Sequence, residues 1–448
     1  MSVELIAILA LVAIFAVATV VPINMGALGF VAAFVIGTIA LDLTVDELVG
    51  GVEGTDATGF PSELVITLIG VTYLFAIARN NGSVDLIVRT AVRAVGGRVA
   101  AVPWVMFAVT GLLTAIGALG PAAVAIIAPI ALGLATRYRI SPLLMGMMVV
   151  HGAQAGGFSP ISVYGVTVNT ISAESGIVTA PIILFLASLL FNAAIGVLLS
   201  LWLGRDLFSR TVDADEDASR GSSAPAGGSS SEPDGTGTRT ESRTASGPVT
   251  LQQATTLIGL LAVIVLALAL ELDIGFMAIT LAVILALMSP TAHKAAVNQI
   301  SWSTVLLIAG VLTFVSVLQA AGSVDYVGDG IASLGIPLLA ALLLCYLGGV
   351  VSAFASSTAI IGVTIALAAP FLAAGDVNTI GLICALSVAS TIVGVSPFST
   401  NGALVIANTP ESLDRDAFYK QVLGYSVAVT LIGPTVAWAA MVVVPGLF

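Results

Sequence analysis

The sequence predicts an all-α polytopic membrane protein made of two inverted-topology repeats, and three observations lead to that class. Hydrophobic residues fill 58% of the 448 positions and charged ones only 9%, with a mean hydropathy of +1.11, whereas soluble domains carry about one quarter charged residues. Sequence motifs recur between the two halves at a nearly constant displacement. All 14 Lys and Arg residues fall on one side once the spans are threaded through a bilayer.

Apolar runs at 5–21, 27–41, 64–78, 181–203, 257–270, 276–288, 304–318 and 422–445 approach the ~20 residues that span a hydrocarbon core. Lipid offers no partner to backbone N–H and C=O groups, so spans are helices or closed barrels, and runs without strict alternation select helices. The 46 glycines suit helices that pack closely in lipid. Cys345 and Cys384 lie in apolar surroundings and read as small core residues.

The first repeat occupies 1–203. Met1-Ser2-Val3-Glu4 lacks the basic region of a secretory signal, so the run behind it reads as a retained first span, 3–21. With the N-terminus outside, span 27–42, an acidic loop 43–62 and span 63–79 follow, then a cytoplasmic stretch with Arg79, Arg89, Arg93 and Arg98. Segment 101–136 must enter and return before Arg137 and Arg139, 141–172 crosses outward, and 180–203 crosses back. Residues 204–250, rich in Gly, Ser, Thr, Pro and charge and containing Arg205, Arg210, Arg220, Arg239 and Arg243, read as a flexible cytoplasmic linker.

The second repeat, 251–448, therefore starts inside. Spans 252–270 and 275–290 bring the chain back to Lys294, and 303–320 goes out. Segment 338–373 enters and returns, 378–408 leads to Arg415 and Lys420, and 422–445 exits. An odd number of crossings per half inverts the second repeat, as in many secondary transporters. Segments 101–136 and 338–373 fit either pairs of short spans or re-entrant hairpins tipped at Thr114 to Pro121 and Ser352 to Thr358.

Duplication is carried by two ordered matches. Gly82-Ser83-Val84-Asp85 recurs as Gly322-Ser323-Val324-Asp325, displaced by 240, and the stretch Gly157 to Gly165 recurs as Gly394 to Gly402, displaced by 237.

The second match is also the best candidate for a binding site. Pro160 and Pro397 interrupt long membrane segments beside Ser159 and Ser396, and freed backbone groups at membrane depth require protein, water or a solute to satisfy them. A half-helix starting after each break points N–H groups and its positive end at an anion. Gly157, Ser159, Ser162, Gly394, Ser396, Ser399, Thr400 and Asn401 are the candidate lining. The competing reading is a kinked helix whose serines bond their own backbone. At the segment tips, Gly117 and Gly120 offer backbone while Ser356, Ser357 and Thr358 offer hydroxyls. A plain tight turn would use the same glycines.

His151, ten residues into its span, falls near the midplane, where an ionisable group points to a functional site. It is a candidate for proton transfer or carboxylate pairing, with Gln154 one turn later on the same face. On this reading His151→Gln abolishes proton-coupled uptake. The competing reading is a neutral imidazole bonded across a helix interface.

Several classes are disfavoured. A net charge of −11 opposes nucleic-acid binding. No HExxH, Walker A or Cys/His cluster occurs, so neither metal hydrolysis nor ATP coupling has a site. A serine hydrolase on Ser159 and His151 fails because Val388 stands where the second repeat would need the histidine. No enzyme activity and no cofactor are expected.

Pro22-Ile23-Asn24-Met25-Gly26, Val71 to Ala78, Pro103-Trp104-Val105-Met106-Phe107, Gly117 to Val124 and His151 to Pro160 resemble the amino-terminal half of the MatC-type malonate/dicarboxylate carriers. The second half resembles, in organisation, the ion-transporter superfamily that includes divalent-anion/sodium symporters. The resemblance implies that each repeat holds a re-entrant hairpin and a broken helix meeting at a midplane anion site, with an elevator-like movement against a dimerising scaffold. Sodium-coupled relatives carry Ser-Asn-Thr at both tips. This chain has Gly117 to Pro121 and Ser356-Ser357-Thr358 there, and Ser-Pro where relatives have Thr-Pro, so the fold transfers better than the coupling ion.

The resulting expectation is a multi-pass, homodimeric cell-membrane protein in contact with lipid that imports a small dicarboxylate, malonate or a C4 acid, using a Na+ or H+ gradient. Efflux or exchange of another small anion, or a non-transporting sensor or scaffold, are the alternatives.

Overall fold

Every regular element among the described residues is helical, as the apolar runs require in lipid. The computed structural model describes residues 2–21, 23–53, 55, 57–93, 98–174, 176–178, 180–209, 250–270, 272–288, 295–323, 326, 336–353, 357, 360–362, 364–365, 368, 372 and 377–444. Most of the predicted linker, the tip residues Ser356 and Thr358, and Lys294 lie outside this set.

The first half contains α1 (Val3–Val20), α2 (Met25–Ala40), α3 (Val45–Gly50), α4 (Ser62–Asn80), α5 (Ser83–Arg93), α6 (Ala101–Ala115), α7 (Gly120–Tyr138), α8 (Pro142–Gly156), α9 (Val163–Glu174) and α10 (Pro181–Leu203). The second contains α11 (Leu251–Leu270), α12 (Ile274–Met288), α13 (Trp302–Ala320), α14 (Pro337–Ser352), α15 (Thr379–Ile392), α16 (Thr400–Ala407) and α17 (Arg415–Trp438). Six helical stretches among the described residues are long and apolar enough to cross a membrane. The chain is an all-α, multi-span membrane bundle.

Two helices were not expected. In the predicted acidic loop, α3 is nucleated by a capping box: Thr44 Oγ1 accepts the Glu47 N–H, and Glu47 accepts the Thr44 N–H at 2.8 Å. After α4, α5 buries Ser83, Val84 and Val88 while Asp85 and Thr90 stay exposed. That amphipathic pattern lays it along the bundle.

Burial sorts the helices. Every residue of α8 from Leu143 to Gly156 is buried, and α15 is buried from Leu382 to Ile392. By contrast α10 exposes Leu190, Leu198 and Trp202, and α17 exposes Leu431 and Ile432, apolar faces that suit lipid. The central pair thus carries the polar interior, and the outer pair shields it.

Helix contacts between the halves are reciprocal: α2 lies against α13, and α12 lies against α4. Glycine makes both approaches possible. A Cβ on Gly310 would overlap the Gly26 carbonyl, and one on Gly70 would overlap the Gly275 carbonyl. Within the first half, α6 meets α8 in the same way at Gly111 and Gly156. Side-chain amides tie the ends, Asn24 donating to the Ser303 carbonyl at 2.9 Å and Asn81 to Thr256 Oγ1 at 2.7 Å. In lipid such close packing and hydrogen bonding hold helices together, because apolar burial gives little preference for helix over tail.

Candidate functional site

The helices stop where Pro160 and Pro397 stand. After α8, residues 157–162 turn before α9 begins at Val163. After α15 comes one 3₁₀ turn, Val393–Val395, and α16 begins at Thr400. The two breaks are built alike. Ser162 Oγ donates to the Ser159 carbonyl at 2.8 Å and accepts the Gly165 N–H at 3.3 Å. Ser399 Oγ donates to the Ser396 carbonyl at 2.8 Å and accepts the Gly402 N–H at 3.4 Å. A Cβ on Gly165 or Gly402 would overlap the carbonyl of Ser159 or Ser396. The spacing Ser-Pro-x-Ser-x-x-Gly is therefore the recipe for the break.

In the folded chain the Ser162 and Ser399 hydroxyls turn toward their own breaks. Each serine proton is committed to backbone carbonyls at its own break, Gly157 and Gly394 included. Ser159 Oγ likewise donates to the Ala115 carbonyl at 2.5 Å, pinning the first break to the end of α6. Ser396 Oγ accepts the Phe398 N–H at 3.2 Å, and Thr400 is exposed. Gly157 packs on the Tyr164 ring, where a Cβ would sit 3.0 Å from Cδ2.

A different set converges between the breaks. A Cβ placed on Gly120 would lie 3.6 Å from Asn401 Nδ2 and 3.7 Å from the Tyr164 hydroxyl. One placed on Gly394 would lie 3.1 Å from Gln154 Nε2 and 3.7 Å from both Asn401 Nδ2 and Ser357 Oγ. The two glycines thus leave room among an amide, a phenol, a second amide and a hydroxyl. Gln154 Nε2 donates to the Thr391 carbonyl at 2.8 Å. Gln154 Oε1 and Asn401 Oδ1 are buried with no hydrogen-bond partner among the described residues. The N-terminus of α7, which opens with Gly120 and Pro121, adds the positive end of a helix.

His151 stands behind this cluster. Its Nδ1 is 2.8 Å from Asn192 Oδ1 and its Nε2 is 2.7 Å from the Tyr425 hydroxyl. Asn192 donates through Nδ2 to the Ser188 carbonyl at 3.0 Å, so its oxygen faces the ring, Nδ1 carries the proton, and Nε2 accepts from Tyr425. Ser188 Oγ then donates to the Gln154 carbonyl at 3.0 Å. Both ring nitrogens are occupied, and the imidazole joins α8 to α10 and α17.

Gly117, at φ 109°, faces the other way. It lines a small cavity of about 40 Å³ with Thr72, Arg79, Leu119, Gln299 and Ser301. Two larger grooves of about 580 and 420 Å³ run beside α10 and are walled by apolar side chains such as Leu190, Phe191 and Ile195. Of the expected site residues, Gly120, Gln154, Ser357, Gly394 and Asn401 come together. Tyr164 joins them unforeseen, although it occupies the position of Asn401 in the paired segments, 237 residues earlier.

No group of three or more His, Cys, Asp or Glu that could hold a metal occurs among the described residues. A multi-span helical bundle whose polar groups meet at two helix breaks has the character of a solute carrier. Residues 1–157 match the family described as dicarboxylate carrier protein MatC N-terminus, a match that runs from α1 to the first break. No curated protein matches the chain. The N-terminal match and the membrane helix pattern together support a dicarboxylate-carrier-like transporter.

Proposed function

We propose that the chain is a secondary active transporter of small dicarboxylates, malonate or a C4-dicarboxylate, coupled to a Na+ or H+ gradient. The observation that carries this reading is the meeting of Gly120, Tyr164, Gly394 and Asn401 between two interrupted helices, inside a chain whose first 157 residues match a dicarboxylate carrier family. Main-chain N–H groups at the starts of α7, α9 and α16 supply positive potential without a buried lysine or arginine.

Two finer points belong to the same reading. The repeats are read as inverted in topology from the charge pattern, and a two-fold relation between the halves is supported by Gly70 and Gly310, displaced by 240, each of which packs against the second helix of the opposite half, at Gly275 and Gly26. Segments α6 and α7 form a re-entrant hairpin, a reading favoured by the proximity of Gly120 to residues that follow both breaks. The charge distribution orients the linker toward the cytoplasm. Two copies associate as a homodimer, and each moves its transport unit against the scaffold.

Proteoliposomes holding the purified chain test the proposal. Labelled malonate, succinate or fumarate is expected to accumulate under an imposed inward Na+ or H+ gradient and to stop when the gradient is collapsed. Absence of accumulation of every dicarboxylate under both gradients would remove the assignment.

A further inference from the structure

We infer that the site takes its dicarboxylate with one carboxyl still protonated, and that this carboxyl pairs edge to edge with the side-chain amide of Asn401. The inference rests on the transporter reading above and specifies the ionic form that is carried.

Asn401 is the second residue of α16 and is buried between Gly120 and Gly394. Its Oδ1 has no hydrogen-bond partner among the described residues, and buried acceptors are rarely left so. A primary amide presents one N–H donor and one C=O acceptor along a single edge. A carboxylic acid presents the complement, an acceptor C=O and a donor O–H, so the two close a ring of two hydrogen bonds. A carboxylate has only acceptors. One of its oxygens would face Oδ1, lone pair against lone pair, in a medium of low dielectric.

Charge points the same way. Two full negative charges at this depth require matching cations, since burying an unpaired ion is costly. The described groups around Asn401, namely Gly120, Gln154, Tyr164, Ser357 and Gly394, include no lysine or arginine. The elements packed on α16 bring none nearer. Helix α7 carries Arg137 and Tyr138 at its far end, and α8 carries His151, held on both nitrogens. Helix α17 carries exposed Arg415, Asp416 and Lys420 in its first turns, with Tyr419 among them, and Arg415 bonds the Ala407 carbonyl at the other end of α16. Its Tyr425 is engaged with His151. Among the described residues the titratable side chain that reaches the same Gly120 position as Asn401 is Tyr164, its hydroxyl 3.7 Å from a Cβ placed there. One remaining carboxylate is matched by the N-terminal turn of the 19-residue α7.

The proton then travels on the substrate. A hydrogen dicarboxylate enters, and on release at neutral pH its acid group ionises to give the dianion and one proton in the receiving compartment. No side chain needs to change its charge during the cycle.

The test uses proteoliposomes at constant Na+, with malonate or succinate as substrate and the monoamides malonamate and succinamate as inhibitors. A monoamide keeps one carboxylate and replaces the acid with a group that cannot ionise but pairs with an amide in the same way. Above the second ionisation of the substrate, KM in total dicarboxylate is expected to rise about tenfold per pH unit and to stay constant when expressed as hydrogen dicarboxylate. The monoamide is expected to compete with an inhibition constant that does not change with pH, and Asn401→Leu to weaken it at least tenfold. A KM that is flat in total dicarboxylate with no monoamide competition would overturn the protonated form while leaving the transporter reading intact. Undiminished monoamide inhibition in Asn401→Leu would overturn the pairing with Asn401. Failure to take up either acid at any pH would overturn the transporter reading itself, and this inference with it.

Discussion

Gln154, at the end of one interrupted helix, donates its side-chain N–H to the main-chain carbonyl of Thr391, at the end of the other, across 2.8 Å. The two residues are 237 apart in the chain, the displacement that separates the duplicated Ser-Pro segments. The first break therefore donates to the second, and this bond ties the pair together.

Replacing Gln154 by leucine removes that donor and leaves the Thr391 carbonyl buried without it. Because that carbonyl keeps the Val393 N–H, the expected cost is about 0.5–1.5 kcal/mol, seen as a lower Tm of the detergent-purified protein, together with a severalfold fall in dicarboxylate uptake. Unchanged values of both would show that the breaks do not depend on each other.

The close contact of α2 with α13 predicts a sharp response at Gly310. Alanine there places a methyl against the Gly26 carbonyl and is expected to destabilise by about 1–3 kcal/mol. Alanine at Gly133 on α7, where a Cβ meets nothing within 4 Å, is expected to be neutral or to stabilise by up to about 1 kcal/mol. Parallel thermal melts of the two variants decide the matter.

His151 gives a prediction opposite to the one its membrane depth suggests. With both nitrogens bonded it acts as a connector between α8, α10 and α17. His151→Gln and Tyr425→Phe are expected to lower stability yet keep the pH profile of uptake. A profile flattened by His151→Gln and untouched by Tyr425→Phe would restore the relay role.

Outside the spans, the Glu47 carboxyl is held below its ordinary pKa, first by the Thr44 backbone N–H and then by the Thr44 hydroxyl. Its folded value is depressed, so its contribution is present above the unfolded carboxyl pKa and fades as pH falls through the folded one. Hydrogen exchange across 44–51, corrected for intrinsic rates, is expected to show protection falling under acid in the parent chain. In Glu47→Gln, protection is expected to be lower at neutral pH and nearly flat.

Much of the architecture was legible before folding. Proline at 160 and 397 removes a donor wherever it sits in a helix, so both interruptions could be placed from local chemistry. Helix α5 escaped notice because its apolar stripe is narrow and mixed with arginines. Helix α3 was hidden in an acidic stretch, although Thr44 and Glu47 already spell a capping box. At the serines the sequence leaves two roles open for a physical reason: a hydroxyl beside a break can serve the solute or the backbone, and the folded chain shows Ser162 and Ser399 bonded to the Gly157 and Gly394 carbonyls. Tyr164 was overlooked because it shares a position with Asn401 but not a residue type.

What could be read along the chain follows from lipid as solvent, which forces each apolar run to satisfy its own backbone and makes each proline conspicuous. Those are local rules, and they indicate apolar helices and the two breaks, although Pro129 and Pro434 stand inside α7 and α17 without ending them. The partners of Gln154, His151 and Asn401 came only from the folded bundle. They arrive on helices far away in sequence, at separations governed by glycine contacts such as Gly26 with Gly310, and no local rule encodes which polar edge will face which.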